Sequence, residues 1–275
     1  MNAFARPQTL QDALSLLGSG QWQPLAGGTD VYPGMRQSLP GQVLDLTAIK
    51  GLSGISGSDD LRIGACTTWS ELATAKLPPA AHALQQAALL VGGRQIQNAG
   101  TIGGNLCNAS PAADGVPPLL ALDARVELAS PRGTRLLALP DFLLGPRRTA
   151  RAPDELLTAV ILPAASLAGG STFVKLGARA YLVISIAMAA ARITLRDGQI
   201  SEAALAVGAC SATARRLPEI EAALTGLSPA SAGKAMTEDA VARALSPIDD
   251  VRATASYRTA AATHLLRRAV AEALQ

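Results

Sequence analysis

Aromatic residues make up 3% of this 275-residue chain, and there are three cysteines and two histidines. With so few aromatics, a core must be assembled from Ala, Leu, Val and Ile, within a hydrophobic fraction of 49%. The cysteines at positions 66, 107 and 210 lie far apart and form no Cys-x-x-Cys pair, which excludes a disulfide framework and a thiolate metal site and fits reduced thiols. No metal ligand set is expected. The start, Met1 to Pro7, lacks a basic segment followed by an apolar one, and the apolar run Leu182 to Ala191 is too short to span a bilayer. A cytoplasmic protein without a membrane span is the expectation. A net charge of +3 with scattered basic residues argues against a nucleic-acid face, and the densest patch, Arg147 to Arg151 between Pro146 and Pro153, reads as a solvated loop. Neither a Gly-x-Gly-x-x-Gly after a strand nor a Gly-x-x-x-x-Gly-Lys-Ser/Thr loop is present.

What the chain has instead is a pair of glycine-rich motifs about seventy residues apart, Leu25-Ala26-Gly27-Gly28-Thr29-Asp30 and Gly100-Thr101-Ile102-Gly103-Gly104-Asn105. Adjacent glycines beside Thr and Asp or Asn let a backbone approach an anion and aim N–H groups and a hydroxyl at it. Two such motifs suit the two phosphates of a dinucleotide, one motif to each. Taken singly, either is equally well a tight turn. The surroundings of the second motif, Gln95 to Asn98 and then Leu106-Cys107-Asn108-Ala109-Ser110-Pro111-Ala112-Ala113-Asp114, are rich in small residues and amides. That composition is poor helix material and too long for a turn, so an ordered functional loop is expected, with Ile102, Leu106 and Val116 as its anchors.

The chain reads as three α+β segments. In the first, residues 1–55, Thr9 caps a short helix closed by Gly18, with Leu10, Ala13, Leu14 and Leu17 inward. Strands at Gln23 to Ala26 and Val43 to Leu46 flank the first motif, and Asp30 caps a helix over Val31 to Gln37, offering a helix N-terminus to a phosphate. The second, residues 56–165, alternates strands at Leu61 to Ala65, Ala124 to Ala129, Arg135 to Ala138 and Glu155 to Leu162 with helices from Thr68, over Pro79 to Val91 and over Pro117 to Leu122. Antiparallel pairing with inserted helices is its simplest topology, and Asp114 reads as a cap for the third helix. The third, residues 170–275, has strands at Gly170 to Leu176, Val183 to Arg196 and Glu202 to Ala209, with Asp197-Gly198 as a hairpin turn. Helices follow over Pro218 to Leu224, Thr237 to Leu245 and Ser256 to Leu274, the last with Tyr257, Ala261, Leu265, Val270 and Leu274 among its apolar positions.

The two motifs together, with Leu-Ala-Gly-Gly-Thr-Asp followed by Thr-Ile-Gly-Gly-Asn-Leu-Cys-Asn-Ala-Ser-Pro-Ala-Ala-Asp, resemble the FAD-binding medium subunits of the xanthine dehydrogenase and carbon monoxide dehydrogenase family, the molybdenum hydroxylases. Phe4-Ala5-Arg6-Pro7, Asp154-Glu155-Leu156-Leu157, Phe173 to Arg179 and Asp250 to Arg258 extend the likeness along the chain. The resemblance implies a two-part FAD-binding unit, a small α/β subdomain and a mainly antiparallel one, followed by a C-terminal α+β domain. It implies Leu25, Ala26, Gly27, Gly28, Thr29 and Asp30 as the first FAD loop, and Thr101, Ile102, Gly103, Gly104 and Asn105 as the second, with Gly100 close to the flavin. Asp114 would meet the flavin-nucleotide end, Leu157 would make an apolar contact, and Lys175 would reach the cofactor from the third domain. On the residues alone, Asp30 and Asp114 are equally helix caps, Leu157 is ordinary core, and Lys175 is a strand residue facing solvent.

The family's activity implies an electron-transfer subunit of an oxidoreductase complex. Noncovalent FAD would take electrons from 2Fe–2S clusters on a small partner subunit, downstream of a molybdopterin-binding large subunit, and pass them to NAD+ or another acceptor. His82 and His264 lie in no context suited to covalent flavin attachment, and three scattered cysteines cannot supply the four thiolates of an additional cluster. Where many relatives carry acidic residues after the position of Arg179, this chain has Ala180-Tyr181-Leu182-Val183-Ile184, which leaves the acceptor open. Two alternatives stand beside this reading: a self-sufficient FAD reductase of the two-loop type, for which no substrate acid or base is evident, and a scaffold subunit that has lost FAD.

Overall fold

The computed structural model describes residues 3–34 and 41–275. Its first unit is a three-stranded parallel sheet with Gln42–Asp45 between Ala3–Ala5 and Trp22–Leu25. The helix Leu10–Ser19 starts at Thr9, whose hydroxyl oxygen accepts the Asp12 N–H at 3.1 Å. It runs through Gly18 and ends at Gly20, two residues beyond the expected stop. Ala13 and Leu17 are its buried face, packed with Leu44, Leu46, Ile49 and Leu52. Cys66 and Leu156 of the next unit complete that cluster, so the small sheet is anchored through its core rather than by a linker.

The second unit is a five-stranded antiparallel sheet in the order Ile55–Ser56, Leu61–Gly64, Leu156–Leu162, Arg125–Ser130, Gly133–Ala138. The central strand is buried at every position except Ile161, as a strand covered on both faces should be. Helices Trp69–Thr74, His82–Leu90, Arg94–Ala99, Ile102–Asn108 and Val116–Ala121 lie between its strands in sequence, and all of them but Arg94–Ala99 share one core, which includes Ile63, Trp69, Leu72, Leu84, Ile102, Leu106, Leu119 and Phe142. Thr68 closes a full capping box with Glu71.

In the third unit, Gly170–Leu176, Ala187–Arg196, Gln199–Gly208 and Arg215–Arg216 form an antiparallel sheet in sequence order. Asp197 and Gly198 have φ of 53° and 74°, the backbone of a two-residue hairpin turn. The alanine richness of the long strands has a packing cause. Ala187, Ala189 and Ala191 face the C-terminal helices, while Met188 and Ala190 face Ala83, Ala87 and Ala121 of the second unit. A sheet buried on both faces by helices packs closest with small side chains, and this chain has few large ones. The helices are Pro218–Leu224, the short Ala232–Ala235, Glu238–Ala244 and Ala255–Ala273, the last two capped by Thr237 and Thr254.

Two expectations are corrected here. The most buried residues of the last helix are Arg258, Ala262, Thr263, Leu266, Ala269 and Val270. Of the expected stripe, Val270 is among them, Ala261, Leu265 and Leu274 pack half-buried at its edge, and Tyr257 is exposed, so the face is rotated toward Arg258. The shift follows Arg258, which is buried because its guanidinium bonds the Ile186 and Ala209 carbonyls and the Asp250 carboxylate. The helix expected over Val31 to Gln37 is a single 3-10 turn, Tyr32–Gly34, with residues 35–37 outside the described residues.

Candidate functional site

The strand Trp22–Leu25 delivers the first motif to the edge of the second unit. A Cβ on Gly27 would overlap the Ala99 carbonyl oxygen, and it would lie 3.0 Å from the Gly100 nitrogen. Only glycine permits that approach, so the first motif rests directly on the residues that begin the second. Gly28 has φ of +68° and its carbonyl accepts the Tyr32 N–H at 2.9 Å. Among the described residues, no N–H of Gly27, Gly28, Thr29 or Asp30 donates to a protein acceptor. Four consecutive donors without a protein partner among the described residues carry partial positive charge that can meet an anion. Asp30 caps nothing. Its carboxylate pairs instead with Arg147 at 2.7 Å.

The second motif is a helix start rather than an irregular loop, contrary to its composition. Thr101 is the N-cap of Ile102–Asn108, accepting the Gly104 N–H at 3.0 Å, and the helix closes on Ala109 in the left-handed conformation, φ 46°. Its first donors are all engaged within the chain. Ile102 N–H reaches the Thr67 carbonyl at 3.0 Å, Gly103 N–H the Ala65 carbonyl at 2.8 Å, and Asn105 N–H the Thr101 carbonyl at 3.0 Å. A Cβ on Gly103 would sit 2.7 Å from the Ala65 Cβ and carbonyl oxygen, so glycine is required there for helix-to-strand-end packing. The motifs meet again where a Cβ on Gly100 would lie 3.4 Å from the Thr29 hydroxyl. Within the second motif, the buried Oδ1 of Asn105 has no hydrogen-bond partner among the described residues.

Asp114 and Lys175 are brought together from 61 residues apart into an ion pair of 2.7 Å, with side chains 10% and 8% exposed. Ser185 donates to the other carboxylate oxygen at 2.6 Å, and Lys175 also donates to the Leu90 and Val183 carbonyls. Burial pushes the Asp114 carboxyl upward, opposed by Lys175 and Ser185. The cap reading of Asp114 fails, because the helix Val116–Ala121 has no side-chain cap. The solvent-facing reading of Lys175 fails as well. Asp114 adjoins the second motif through Gly115, where a Cβ would lie 3.1 Å from Asn105 Oδ1. Leu157 is in the core with Ile102 and Leu106, 5% exposed, and supports the second motif from beneath.

Sequence reading missed three participants. Trp69 packs against both Gly100 and Gly115 and so props the second motif from below. Ser185 completes the buried pair. Arg147, expected in a solvated loop, belongs to the turn of a two-stranded ribbon, Leu143–Gly145 with Arg148–Thr149, and reaches Asp30 and Asn108. The Thr68 cap that opens the Trp69 helix was legible; nothing local marked the other two.

A dinucleotide fits these residues on two observations: four N–H groups on a glycine turn without protein partners among the described residues, and an unpartnered buried amide oxygen in the second motif. Comparison with known proteins agrees. Residues 1–165 match the FAD binding domain in molybdopterin dehydrogenase, and residues 172–273 match the CO dehydrogenase flavoprotein C-terminal domain. The chain belongs to this family of FAD-binding oxidoreductase subunits. Within the family it is similar to the carbon monoxide dehydrogenase medium chain of Afipia carboxidovorans, with 35% identity over 98% of this chain and 96% of the relative. The nicotine 6-hydroxylase medium subunit of Paenarthrobacter nicotinovorans is 32% identical over the same shares. Among solved structures, reconstituted CO dehydrogenase from Oligotropha carboxidovorans matches with a TM-score of 0.90 and 32% identity, covering 100% of this chain and 97% of the other. The family fold, a mixed helix and sheet FAD-binding unit followed by a C-terminal domain, is the one described above. Among the described residues no helix is long and apolar enough to cross a membrane, and no group of side chains is arranged to hold a metal ion.

Proposed function

We propose that this flavoprotein subunit holds FAD noncovalently between its two glycine motifs and relays electrons within a molybdenum hydroxylase complex. The observation that carries the reading is the run of free N–H groups on residues 27–30, lying against the start of the second motif. Those donors take the pyrophosphate, and Ala26 and Leu25 set the strand end from which they project. Gly104 keeps the exposed helix surface bare so that the cofactor approaches the backbone, Gly103 seats that helix against Ala65, and the Asn105 amide meets one of the cofactor's polar groups. Residues 1–55 and 56–165 act as the two halves of the cofactor unit, with residues 170–275 closing it through Lys175. The buried Asp114–Lys175 pair keeps a fixed charge arrangement at the boundary between cofactor unit and C-terminal domain, excluding water from it.

When bound, FAD supplies the exchange between single electrons from an iron–sulfur subunit and the electron pair delivered to NAD+ or another acceptor. The chain itself binds, orients and shields. Substrate oxidation belongs to a separate molybdopterin-binding subunit, in line with the CO dehydrogenase and nicotine 6-hydroxylase names of the relatives. The cytoplasm is the proposed location. The test is the visible spectrum of the purified chain, with the heat-released cofactor identified by chromatography. FAD near one per chain supports the reading. A folded, colourless chain that cannot be reconstituted favours the scaffold alternative, and turnover by the isolated chain would favour the self-sufficient reductase.

A further inference from the structure

A side chain from a third segment ties the two glycine motifs together. Arg147 has φ of +59°, an unfavourable conformation for a residue with a Cβ, and it is held there by its N–H, which donates to the Ala109 carbonyl at 3.0 Å. That carbonyl belongs to the residue closing the helix of the second motif. From this fixed backbone, Nη1 donates to the Asp30 carboxylate at 2.7 Å and to the Asn108 side-chain oxygen. One guanidinium therefore joins segments 117 and 39 residues distant in sequence. The Arg147 and Asp30 side chains are 63% and 53% exposed, and ion pairs so open to water add little to fold stability.

The charge arrangement is more informative. Asp30 places a carboxylate on the same turn as the four free N–H groups, and an unscreened carboxylate there repels the anion that those groups are arranged to bind. Arg147 cancels that charge. Its Nε and Nη2 make no hydrogen bond among the described residues, so they add further donors at the same rim.

We propose that Arg147 is the counter-charge of the cofactor cradle, a positioning residue that neutralises Asp30 and pins the first motif to the helix of the second. The proposal rests on the FAD reading above. Arginine suits the role because its charge is permanent and the two hydrogens of Nη1 serve Asp30 and Asn108 at once.

The test uses the full chain stripped of flavin and titrated with FAD, following flavin fluorescence at low and high salt, with thermal melting of each apo variant alongside. Arg147→Ala is expected to weaken FAD binding about tenfold at low salt, the scale of one charge-assisted interaction, and to leave the apo melting temperature nearly unchanged. Adding Asp30→Asn to Arg147→Ala is expected to restore most of the lost affinity, because the uncancelled carboxylate is then gone. Arg147→Lys, which keeps the charge, is expected to stay close to the parent. If Arg147→Ala does not fold, Arg147→Gln replaces it, losing the charge while retaining an amide donor for Asn108. Unchanged FAD affinity in the charge-deleted variant, or no recovery on adding Asp30→Asn, overturns the proposal. Failure of the parent chain to bind FAD overturns the FAD reading itself, and the proposal with it.

Discussion

The two glycine motifs share a composition but use their backbones in opposite ways. In residues 27–30 the N–H groups have no protein partner among the described residues, and Gly28 takes a left-handed turn that no helix or strand could continue. In residues 102–105 every N–H is engaged, two of them by the Ala65 and Thr67 carbonyls and two by Thr101. The first motif is a donor cluster; the second is a capped helix start stripped of side chains so that other groups can come close. Paired glycines thus serve hydrogen-bond supply in one place and steric clearance in the other. Substitutions at equivalent-looking positions should separate binding from stability.

Gly27→Ala has the largest expected effect, because its Cβ would overlap the Ala99 carbonyl oxygen and both neighbours are backbone. The motifs must separate, at a cost of about 3 kcal/mol, with loss of bound flavin as well as a lower melting temperature. Gly103→Ala comes next. Its Cβ would meet Ala65 at 2.7 Å, and a small slide of the helix relieves the clash at about 1–3 kcal/mol. Urea titration should show the loss of stability, with flavin content reduced in proportion. Gly104→Val sharpens the contrast. Among the described residues outside its own helix backbone, its Cβ would meet the Thr101 hydroxyl alone, at 2.9 Å, and the position is exposed, so the chain should fold with a penalty of about 1 kcal/mol. The valine nevertheless covers the bare helix surface, and FAD retention should be abolished. A flavin-replete Gly104→Val chain would show that the second motif does not face the cofactor.

Much of the fold was legible because local chemistry and tertiary demand agreed. The Thr68 capping box, the Asp197-Gly198 hairpin and the helix Pro218–Leu224 carry their own signals within a few residues. The helix Ile102–Asn108 was not legible, since each interior glycine disfavours a helix by about 1 kcal/mol relative to alanine. What stabilises it lies elsewhere: carbonyls of residues 65 and 67, and a core that buries Ile102 and Leu106 completely. The Asp114–Lys175 pair and the Arg147 bridge join residues 61 and 117 apart, and no periodicity in one chain reports such pairings. Arg258 shows the same limit, as a charged residue at the centre of a buried helix face whose partners come from two strand ends and a preceding turn. The site was therefore readable as two motifs, while their division of labour required the folded chain.

The smallest expected effect tests that division most directly. Thr101 is 4% exposed and its hydroxyl accepts the Gly104 N–H, so Thr101→Val keeps the shape and deletes the cap. Loss of an N-cap costs about 1 kcal/mol, and Thr101→Ser, which preserves the hydroxyl, should cost only a few tenths. If the donors of the second motif serve the helix, Thr101→Val lowers the melting temperature by a few degrees while flavin content stays near the parent's, since Gly104 is exposed and water can reach its freed N–H. Melting curves and the flavin-to-protein absorbance ratio, taken on the same samples, check both halves. Loss of flavin without a change in melting would mean that the Thr101 hydroxyl is itself a cofactor ligand, and the two motifs would then both be donor sites rather than one donor site and one clearance.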